Sequence, residues 1–234
     1  MMGGGDDLAR HGHGGARRPA WFDYDSALNP EQAKHFAARG FRFCLRYISL
    51  DDNNRAYNQQ QVTLDLSIEE AQCILDAGMA LMAVQHVAEP GWCPTPDLGT
   101  VYGANAARYA GAGGLPAGVN VWLDLEGIAQ GTSSDDIIGY CNNWFAAVAA
   151  GGYEPGIYVG YNVFLTADQL YFGLRTKSYW RAAGEIPDVS NRGYQMKQLT
   201  DNPGSTNPFD YNVTMNDAFG GTVRWLAANS ALVV

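Results

Sequence analysis

The chain has 234 residues, of which 47% are hydrophobic and 12% aromatic, and its net charge is −9 at pH 7. This length and composition suit one domain with a sizeable core. The acidic balance argues against nucleic acid as the main partner, but it does not exclude a neutral polysaccharide. No apolar stretch reaches the roughly 18 residues that a bilayer crossing needs, so we predict no membrane span.

The four cysteines are scattered along the chain at positions 44, 73, 93 and 141. They form neither a CxxC pair nor a cluster of ligands, and we therefore predict no metal site. The candidate site residues at the predicted strand ends also include no cluster of metal ligands. We expect no other cofactor.

The first 19 residues are rich in Gly, His and Arg. They lack the apolar segment of a secretory signal, so no signal peptide is predicted. We expect residues 1–19 to be a disordered lead-in or an expression remnant, and residues 20–234 to form the domain.

Strand-like and helix-like segments alternate along the domain. Strands are predicted at 22–24, 41–48, 79–87, 119–125 and 156–160, with helices at 30–39, 67–76, 99–112 and 134–150. Three further short strands are predicted at 179–182, 193–198 and 211–213, and most gaps between them are too short for a crossover helix. About five βα units followed by three short strands predict an α/β fold, an irregular (β/α)8 TIM-type barrel.

An open, doubly wound parallel sheet is the alternative architecture. That fold would need a glycine-rich phosphate loop after the first strand. The segment that follows it, Asp23-Tyr24-Asp25-Ser26, contains no glycine. The barrel is therefore favoured.

The segment Asp124-Leu125-Glu126 ends the apolar run of the fourth predicted strand. Side chains alternate along a strand, so Asp124 and Glu126 point the same way. Neighbouring carboxylates repel each other and should have separated pKa values, which is the arrangement that glycoside hydrolysis uses. In the alternative interpretation, one acid caps the next helix and the other binds a backbone amide.

The C-terminal ends of barrel strands form the active site in this fold class. The acids at these ends are the catalytic candidates: Asp23, Asp124, Glu126 and Asp210. Aromatic, amide and cationic residues at the ends are candidates for substrate binding: Arg46, Tyr47, Gln85, Tyr158, Tyr161, Trp180 and Gln198.

The candidate acids could have different catalytic roles. Glu126 could protonate the leaving oxygen if Asp124 and an apolar wall raise its pKa, with Asp23 or Asp210 as the second carboxylate. The tyrosines and Trp180 would stack on sugar faces, and the glutamines would bond sugar hydroxyls or amides. The alternatives are that Arg46 only neutralises an acid inside the barrel and that the exposed aromatics only pack the rim.

The order of several short segments resembles the glycoside-hydrolase-like barrels. The segments are Phe22-Asp23-Tyr24, Arg46-Tyr47-Ile48-Ser49, Leu123-Asp124-Leu125-Glu126, Gly156-Ile157-Tyr158, Tyr179-Trp180 and Gly193-Tyr194-Gln195. More closely, the chain is similar to the domain of unknown function 1906 (DUF1906) group, which is related to the glycoside hydrolase family 25 lysozymes.

This resemblance implies catalytic carboxylates at Asp23, Asp124, Glu126 and Asp210, with Glu126 as the acid. It also implies a peptidoglycan-like substrate, a polymer of N-acetylated amino sugars. We therefore predict a lysozyme-like (muramidase-like) hydrolase of cell-wall glycan, monomeric and acting outside the cell or in its envelope.

Three other function classes stay open at this stage. The chain could be a catalytically silent barrel that binds glycan, a barrel that processes a phosphorylated ligand, or a structural module that docks a partner. Release of reducing ends from a glycan would separate the first prediction from the silent barrel.

Overall fold

Eight strands pair in sequence order and close into a barrel, as predicted. The computed structural model describes residues 20–24, 26–52, 65–199 and 209–228; the expected lead-in, residues 1–19, lies outside them. The strands are β1 (Ala20–Tyr24), β2 (Phe41–Ile48), β3 (Ala80–Gln85), β4 (Asn120–Leu125), β5 (Glu154–Val159), β6 (Ser178–Arg181), β7 (Met196–Leu199) and β8 (Asp210–Thr214).

Four α-helices follow the first four strands. They are α1 (Pro30–Ala38), α2 (Ile68–Asp76), α3 (Pro96–Ala112) and α4 (Ser134–Ala150). Local sequence sets where they begin: Asn29 caps α1 through a capping box with Gln32, and Pro30 occupies the first turn. The fifth predicted unit has only a π-helical turn, Gln169–Gly173, as its crossover.

Glycines let α3 and α4 approach each other closely. A Cβ built on Gly103 would lie 2.6 Å from the carbonyl oxygen of Trp144, which no real side chain tolerates. The small residues of α3, visible in the sequence, therefore act as a contact surface for the neighbouring helix rather than as a flexible segment.

The last strand runs against its neighbours, which the sequence did not predict. β8 pairs antiparallel with both β7 and β1, whereas the other strand pairs are parallel. Residues 200–209 are too few for a parallel crossover, which takes about a dozen residues or more. The start of β8 therefore lies at the same end of the barrel as the end of β1, and Asp210 pairs with Asp23 across the two strands.

Alternate side chains fill the barrel or face the helices. In the interior, Trp122 and Trp180 meet edge to face at 6.0 Å, and the Trp122 indole nitrogen lies 3.4 Å from the sulfur of Met82. On the outer face, Phe22 of β1 stacks on Phe36 of α1 at 4.1 Å. This alternation decides which polar residues reach the interior.

The segment after β8 closes the end of the barrel opposite to the strand ends that carry the acids. Leu226 forms an antiparallel bridge with Leu81, near the start of β3. The backbone amide of Arg224 donates to Asn120 Oδ1 at 2.6 Å, and the ring of Trp225 packs against Phe43 at 4.4 Å. Buried side chains and backbone bonds thus seal this end.

Arg46 faces the helix layer and not the barrel interior. It is fully buried, and its Nε lies 2.6 Å from Oε1 of Glu70 in α2. The same carboxylate accepts the Leu28 amide at 2.7 Å, and Arg46 also donates to the carbonyl oxygen of Tyr24. The expectations that Arg46 binds substrate or neutralises an acid inside the barrel therefore do not agree with its position. Its neighbour Tyr47 takes the inward direction.

Replacing Glu70 with glutamine should remove the carboxylate charge that lies 2.6 Å from the buried Arg46 guanidinium. We expect the free energy of unfolding to fall by about 3 kcal/mol, because removing one partner of a buried ion pair is costly. Urea unfolding followed by circular dichroism measures this. Glu69→Gln, at an exposed position in the same turn, is the control and should change stability far less. Equal losses in both variants would contradict the importance of this ion pair.

Candidate active site

Two of the predicted acids come from the end of β4. Asp124 is buried inside the barrel, and Glu126 lies just beyond the strand, partly exposed. The indole of Trp92 donates to the backbone oxygen of Glu126 at 2.9 Å, which fixes the chain at this point. The charge of Glu126 acts on Asp124, so the two carboxyl groups are close enough to influence each other.

Gly160 provides the surface on which the Glu126 side chain rests. A Cβ built on Gly160 would lie 2.5 Å from both Cβ and Oε2 of Glu126. The amide of Gly160 donates to the Leu125 carbonyl at 3.0 Å, so the ends of β4 and β5 are joined there. The absence of a side chain at position 160 lets the carboxyl group of Glu126 pack directly on the backbone.

The other two acids face each other across the junction of β1 and β8. Asp23 is buried, whereas Asp210 is exposed, and they are directly paired in the antiparallel register. Side chains at such positions have Cβ atoms about 5 Å apart. Gln198 of β7 donates to Asp210 Oδ2 at 2.9 Å and accepts the hydroxyl of Tyr158 at 2.9 Å.

A polar residue that was not among the predicted site residues completes this wall. Asn212 of β8 is buried, and its amide nitrogen donates to Oδ1 of Asp23. Its carbonyl oxygen accepts the indole N–H of Trp180 at 3.0 Å. The signal in the sequence was its position two residues after Asp210, because alternation along β8 places both side chains on the inward face.

Charge and burial together raise the proton affinity of the site. Burial and the charge of Asp210 raise the pKa of Asp23 to about 8, although hydrogen bonding from Asn212 opposes this. Burial and the charge of Asp210 raise the pKa of Glu126 to about 7. Burial, with the charges of Glu126 and Asp23, raises the pKa of Asp124 well above its ordinary value.

One acceptor in the site has no partner. Among the described residues, Oδ1 of Asp124 is the buried side-chain atom without a hydrogen bond. Buried polar atoms are rarely left unsatisfied, and those that are often lie at functional positions. The site therefore offers a hydrogen-bond position to a ligand deep in the mouth of the barrel.

Aromatic rings form the walls of the mouth. Tyr47 faces the acids, and burial together with the charges of Asp23 and Asp124 raises the pKa of its hydroxyl. Its ring stacks on His86 at 4.6 Å, and His86 in turn contacts Asp65 at 3.1 Å. His86 thus packs against the ring of Tyr47 and is itself held by Asp65. The ring of Tyr158 packs against Trp180 at 4.5 Å.

Two predicted binding residues do not reach the surface of the mouth. Trp180 is only 1% exposed, so it cannot stack on a sugar as expected. Gln85 is fully buried on the outer face of β3, where its amide nitrogen donates to the carbonyl oxygen of Tyr102 at 2.9 Å and its oxygen accepts the indole of Trp144 at 2.7 Å. It joins the barrel to α3 and α4. Tyr161 is the predicted aromatic that stands at the rim, 48% exposed.

Within the described residues, no group of three or more His, Cys, Asp or Glu side chains could hold a metal ion. The acids are spread around the mouth rather than gathered on one point. None of the helices in this part of the chain has the length and apolar character that a bilayer crossing requires.

A family model described as Rv2525c-like, glycoside hydrolase-like domain matches residues 34–212. This range contains Asp124, Glu126 and Asp210 and agrees with the predicted resemblance to glycoside-hydrolase-like barrels. A comparison with curated proteins gives no match.

Solved structures share the fold at low sequence identity. The Tat-secreted protein Rv2525c of Mycobacterium tuberculosis, in complex with L-tartrate, is 15% identical with a TM-score of 0.62, over 86% of this chain and 98% of that one. The Clostridium perfringens spore cortex lytic enzyme SleM is 12% identical with a TM-score of 0.58, over 85% and 67%. The Streptococcus pneumoniae autolysin LytC, in complex with a synthetic peptidoglycan ligand, is 12% identical with a TM-score of 0.51, over 85% and 47%.

The raised pKa of Glu126 predicts a stability gain when its charge is removed. The folded protein keeps the Glu126 proton up to about pH 7, whereas the unfolded chain loses it near 4.5, the ordinary pKa of a glutamate. The folded protein therefore has its full stability from this group below the lower of these two pKa values, and it loses stability as the pH rises through the higher one. Glu126→Gln should therefore be more stable than the parent at pH 8, by about 2 kcal/mol, with no gain at pH 4.

Chemical denaturation at pH 4, 6 and 8 tests this prediction. Glu89→Gln, at an exposed position after β3, is the control for the loss of a carboxylate. A Glu126→Gln variant that is equally stable at pH 4 and pH 8, relative to the parent, would show that Glu126 is ionised without cost.

Proposed function

The chain belongs to the Rv2525c-like, glycoside hydrolase-like domain family, and from this premise we propose that it is a glycosidase. Its substrate in this proposal is peptidoglycan or a related polymer of N-acetylated amino sugars. The observation that carries the proposal is the convergence of Asp23, Asp124, Glu126 and Asp210 from β1, β4 and β8 on one mouth, where their charges act on one another.

Glu126 is the general acid in this proposal. Glycosidic bond cleavage needs a carboxyl group that still carries its proton near neutral pH. Burial and the charge of Asp210 raise the pKa of Glu126 to about 7, and its partial exposure lets the carboxyl group reach a leaving oxygen in the mouth. The ordinary pKa of a glutamate would leave it unprotonated there.

Asp210 supplies the negative charge on the opposite wall. It is the exposed member of the four acids, and its charge adds to the effect of burial in raising the pKa of both Asp23 and Glu126. An anion near the anomeric carbon stabilises the oxocarbenium-like transition state. Gln198 holds this carboxylate through the 2.9 Å hydrogen bond to Oδ2.

In this proposal, Asp124 recognises the sugar. Its Oδ1 atom is buried and without a partner among the described residues. The amide N–H of an acetamido group is a donor that would satisfy it, and a sugar hydroxyl is another. The unpaired oxygen is therefore compatible with an N-acetylated substrate and supports a ligand that donates a hydrogen bond there.

The structural neighbours are compatible with this substrate class. SleM is a spore cortex lytic enzyme, and LytC was solved with a synthetic peptidoglycan ligand. Because such polymers lie outside the cell membrane, we propose action outside the cell or in its envelope. The monomeric state and the absence of a nucleic-acid partner stay predictions.

A catalytically silent, glycan-binding barrel is the competing function. Three aromatic residues would carry binding in that case, but Trp180 is buried inside the barrel and Trp92 is occupied with the Glu126 backbone. Only Tyr161 of these three is well exposed, at 48%. The structure thus gives less support to a binding surface than to an acid site.

Replacing Glu126 with glutamine should remove the proton donor. We expect the release of reducing ends from peptidoglycan or chitin oligomers to fall by about 10²- to 10⁴-fold, the usual contribution of a general acid. Glu154→Gln, at the start of β5 and therefore at the opposite end of the barrel, should keep full activity. Unchanged turnover in Glu126→Gln would end the assignment. Retention of the glycan by the parent with no product from it would favour the silent barrel.

Replacing Gly160 with alanine tests the position of the acid rather than its presence. The added Cβ would lie 2.5 Å from Glu126, so the carboxyl group must move. We expect turnover to fall about 100-fold, because displacements of this size disrupt reacting geometry. In the control Gly111→Ala, within α3, the added Cβ would meet its nearest neighbour at 3.4 Å and should be harmless. Equal activities in the two variants would argue against a fixed position for Glu126.

A further inference from the structure

A chain of three buried side chains runs from the barrel interior to the acid of β1. Trp180 lies on β6, Asn212 on β8 and Asp23 on β1, and none is more than 5% exposed. The indole nitrogen of Trp180 donates to Asn212 Oδ1 at 3.0 Å, and Asn212 Nδ2 donates to Asp23 Oδ1. Neither Trp180 nor Asn212 lies on the surface of the mouth.

The chemistry of the indole fixes the direction of this chain. An indole N–H can only donate, so the Asn212 group that faces it has to be the carbonyl oxygen. The amide NH₂ group must then point at Asp23. Because Oδ1 of Asp23 accepts this hydrogen bond, the titrating proton of Asp23 belongs on its other oxygen, Oδ2.

A second amide is oriented by the same rule. Gln198 Oε1 accepts the backbone N–H of Ala183 at 3.2 Å, and a backbone N–H is also a donor only. Its Nε2 atom therefore faces the carboxylate of Asp210, at 2.9 Å. Asp23 and Asp210 thus each accept a hydrogen bond from a side-chain amide. In both cases an N–H group that can only donate binds the amide oxygen and so fixes the orientation of the amide.

The surroundings of Asp23 are otherwise unfavourable to a carboxylate. Burial raises its pKa to about 8 together with the charge of Asp210, while the hydrogen bonds from Asn212 and Gln198 work in the opposite direction. Among the described residues, the other titratable groups whose interactions involve Asp23 are Asp124, Tyr47, Tyr158 and Cys44. All of these, like Asp210, are acidic groups, so hydrogen bonds from the two amides and from the backbone are what lowers the pKa of Asp23.

We propose that Trp180 and Asn212 are positioning residues that hold Asp23 as a hydrogen-bond acceptor and direct its proton to the oxygen away from Asn212. This deepens the proposed function, on which its catalytic meaning rests. Asp23 would otherwise be free to turn its protonated oxygen toward the amide, and the donor pattern presented to a sugar would change. The role expected for Trp180 from the sequence, stacking on the substrate, is replaced by a role through Asn212.

A carboxyl titration tests the proposal without any substrate. The ¹³C carboxyl resonance of Asp23, assigned by its loss in Asp23→Asn, is followed against pH. Asn212→Leu removes the N–H donor, and we expect the pKa of Asp23 to rise by about one unit, which is the weight of one hydrogen bond to a charged group. Trp180→Phe releases the Asn212 amide and should move the titration in the same direction by a smaller amount.

Trp122→Phe is the matched control. Trp122 is also a buried barrel tryptophan, packed edge to face on Trp180, but its indole points to Met82. This variant should leave the titration of Asp23 unchanged. A shift as large as that of Trp180→Phe would show a general packing effect and overturn the role of the indole. No shift in Asn212→Leu would overturn the proposal as a whole.

A measurement on the unaltered protein covers the case in which Asn212→Leu does not fold. The side-chain ¹⁵N resonance of Asn212 should move with the same midpoint as the Asp23 carboxyl, and this movement should vanish in Asp23→Asn. An Asn212 resonance that is independent of pH would overturn the proposal. If the titrations behave as expected but the protein releases no reducing ends, the inference stands and only the proposed function fails.

Discussion

Four carboxyl groups share the mouth of a barrel whose interior also holds tryptophan rings and neutral amides, and the cost of bringing these acids together shapes the site. Each negative charge raises the proton affinity of its neighbours, and burial adds to the effect. The exposed acid, Asp210, keeps contact with water, and its charge acts on Asp23 and Glu126. The result is a set of chemically identical groups with different proton affinities, which is what acid-assisted cleavage requires.

The arrangement depends on keeping cations out of the interior. Arg46 lies next to Tyr47 in sequence, yet its guanidinium is turned to Glu70 behind the barrel. An inward arginine would neutralise the acids and lower their pKa values. Neutral amides take its place inside: Asn212 and Gln198 donate hydrogen bonds to Asp23 and Asp210 without adding charge.

Much of this site follows from strand alternation, which also explains where the structure differs from the sequence prediction. In the sequence all four acids stand at predicted strand ends, and in the structure they lie at one end of the barrel. Arg46 and Tyr47 were both assigned to the mouth, although adjacent strand residues must point in opposite directions. Gln85 was misplaced for the same reason, since it alternates with the inward Val84. The antiparallel direction of β8 is a property of chain pairing, and no single residue signals it.

Within the described residues, the segment after β8 covers the end of the barrel that lies away from the acids. Leu226 and Trp225, on the segment after β8, pack against the strands where they begin. Water and buffer ions reach the acids through the mouth. A ligand that covered the mouth would slow this exchange, and the number of protons that the carboxyl groups held when it bound would then limit the proton transfers that could follow.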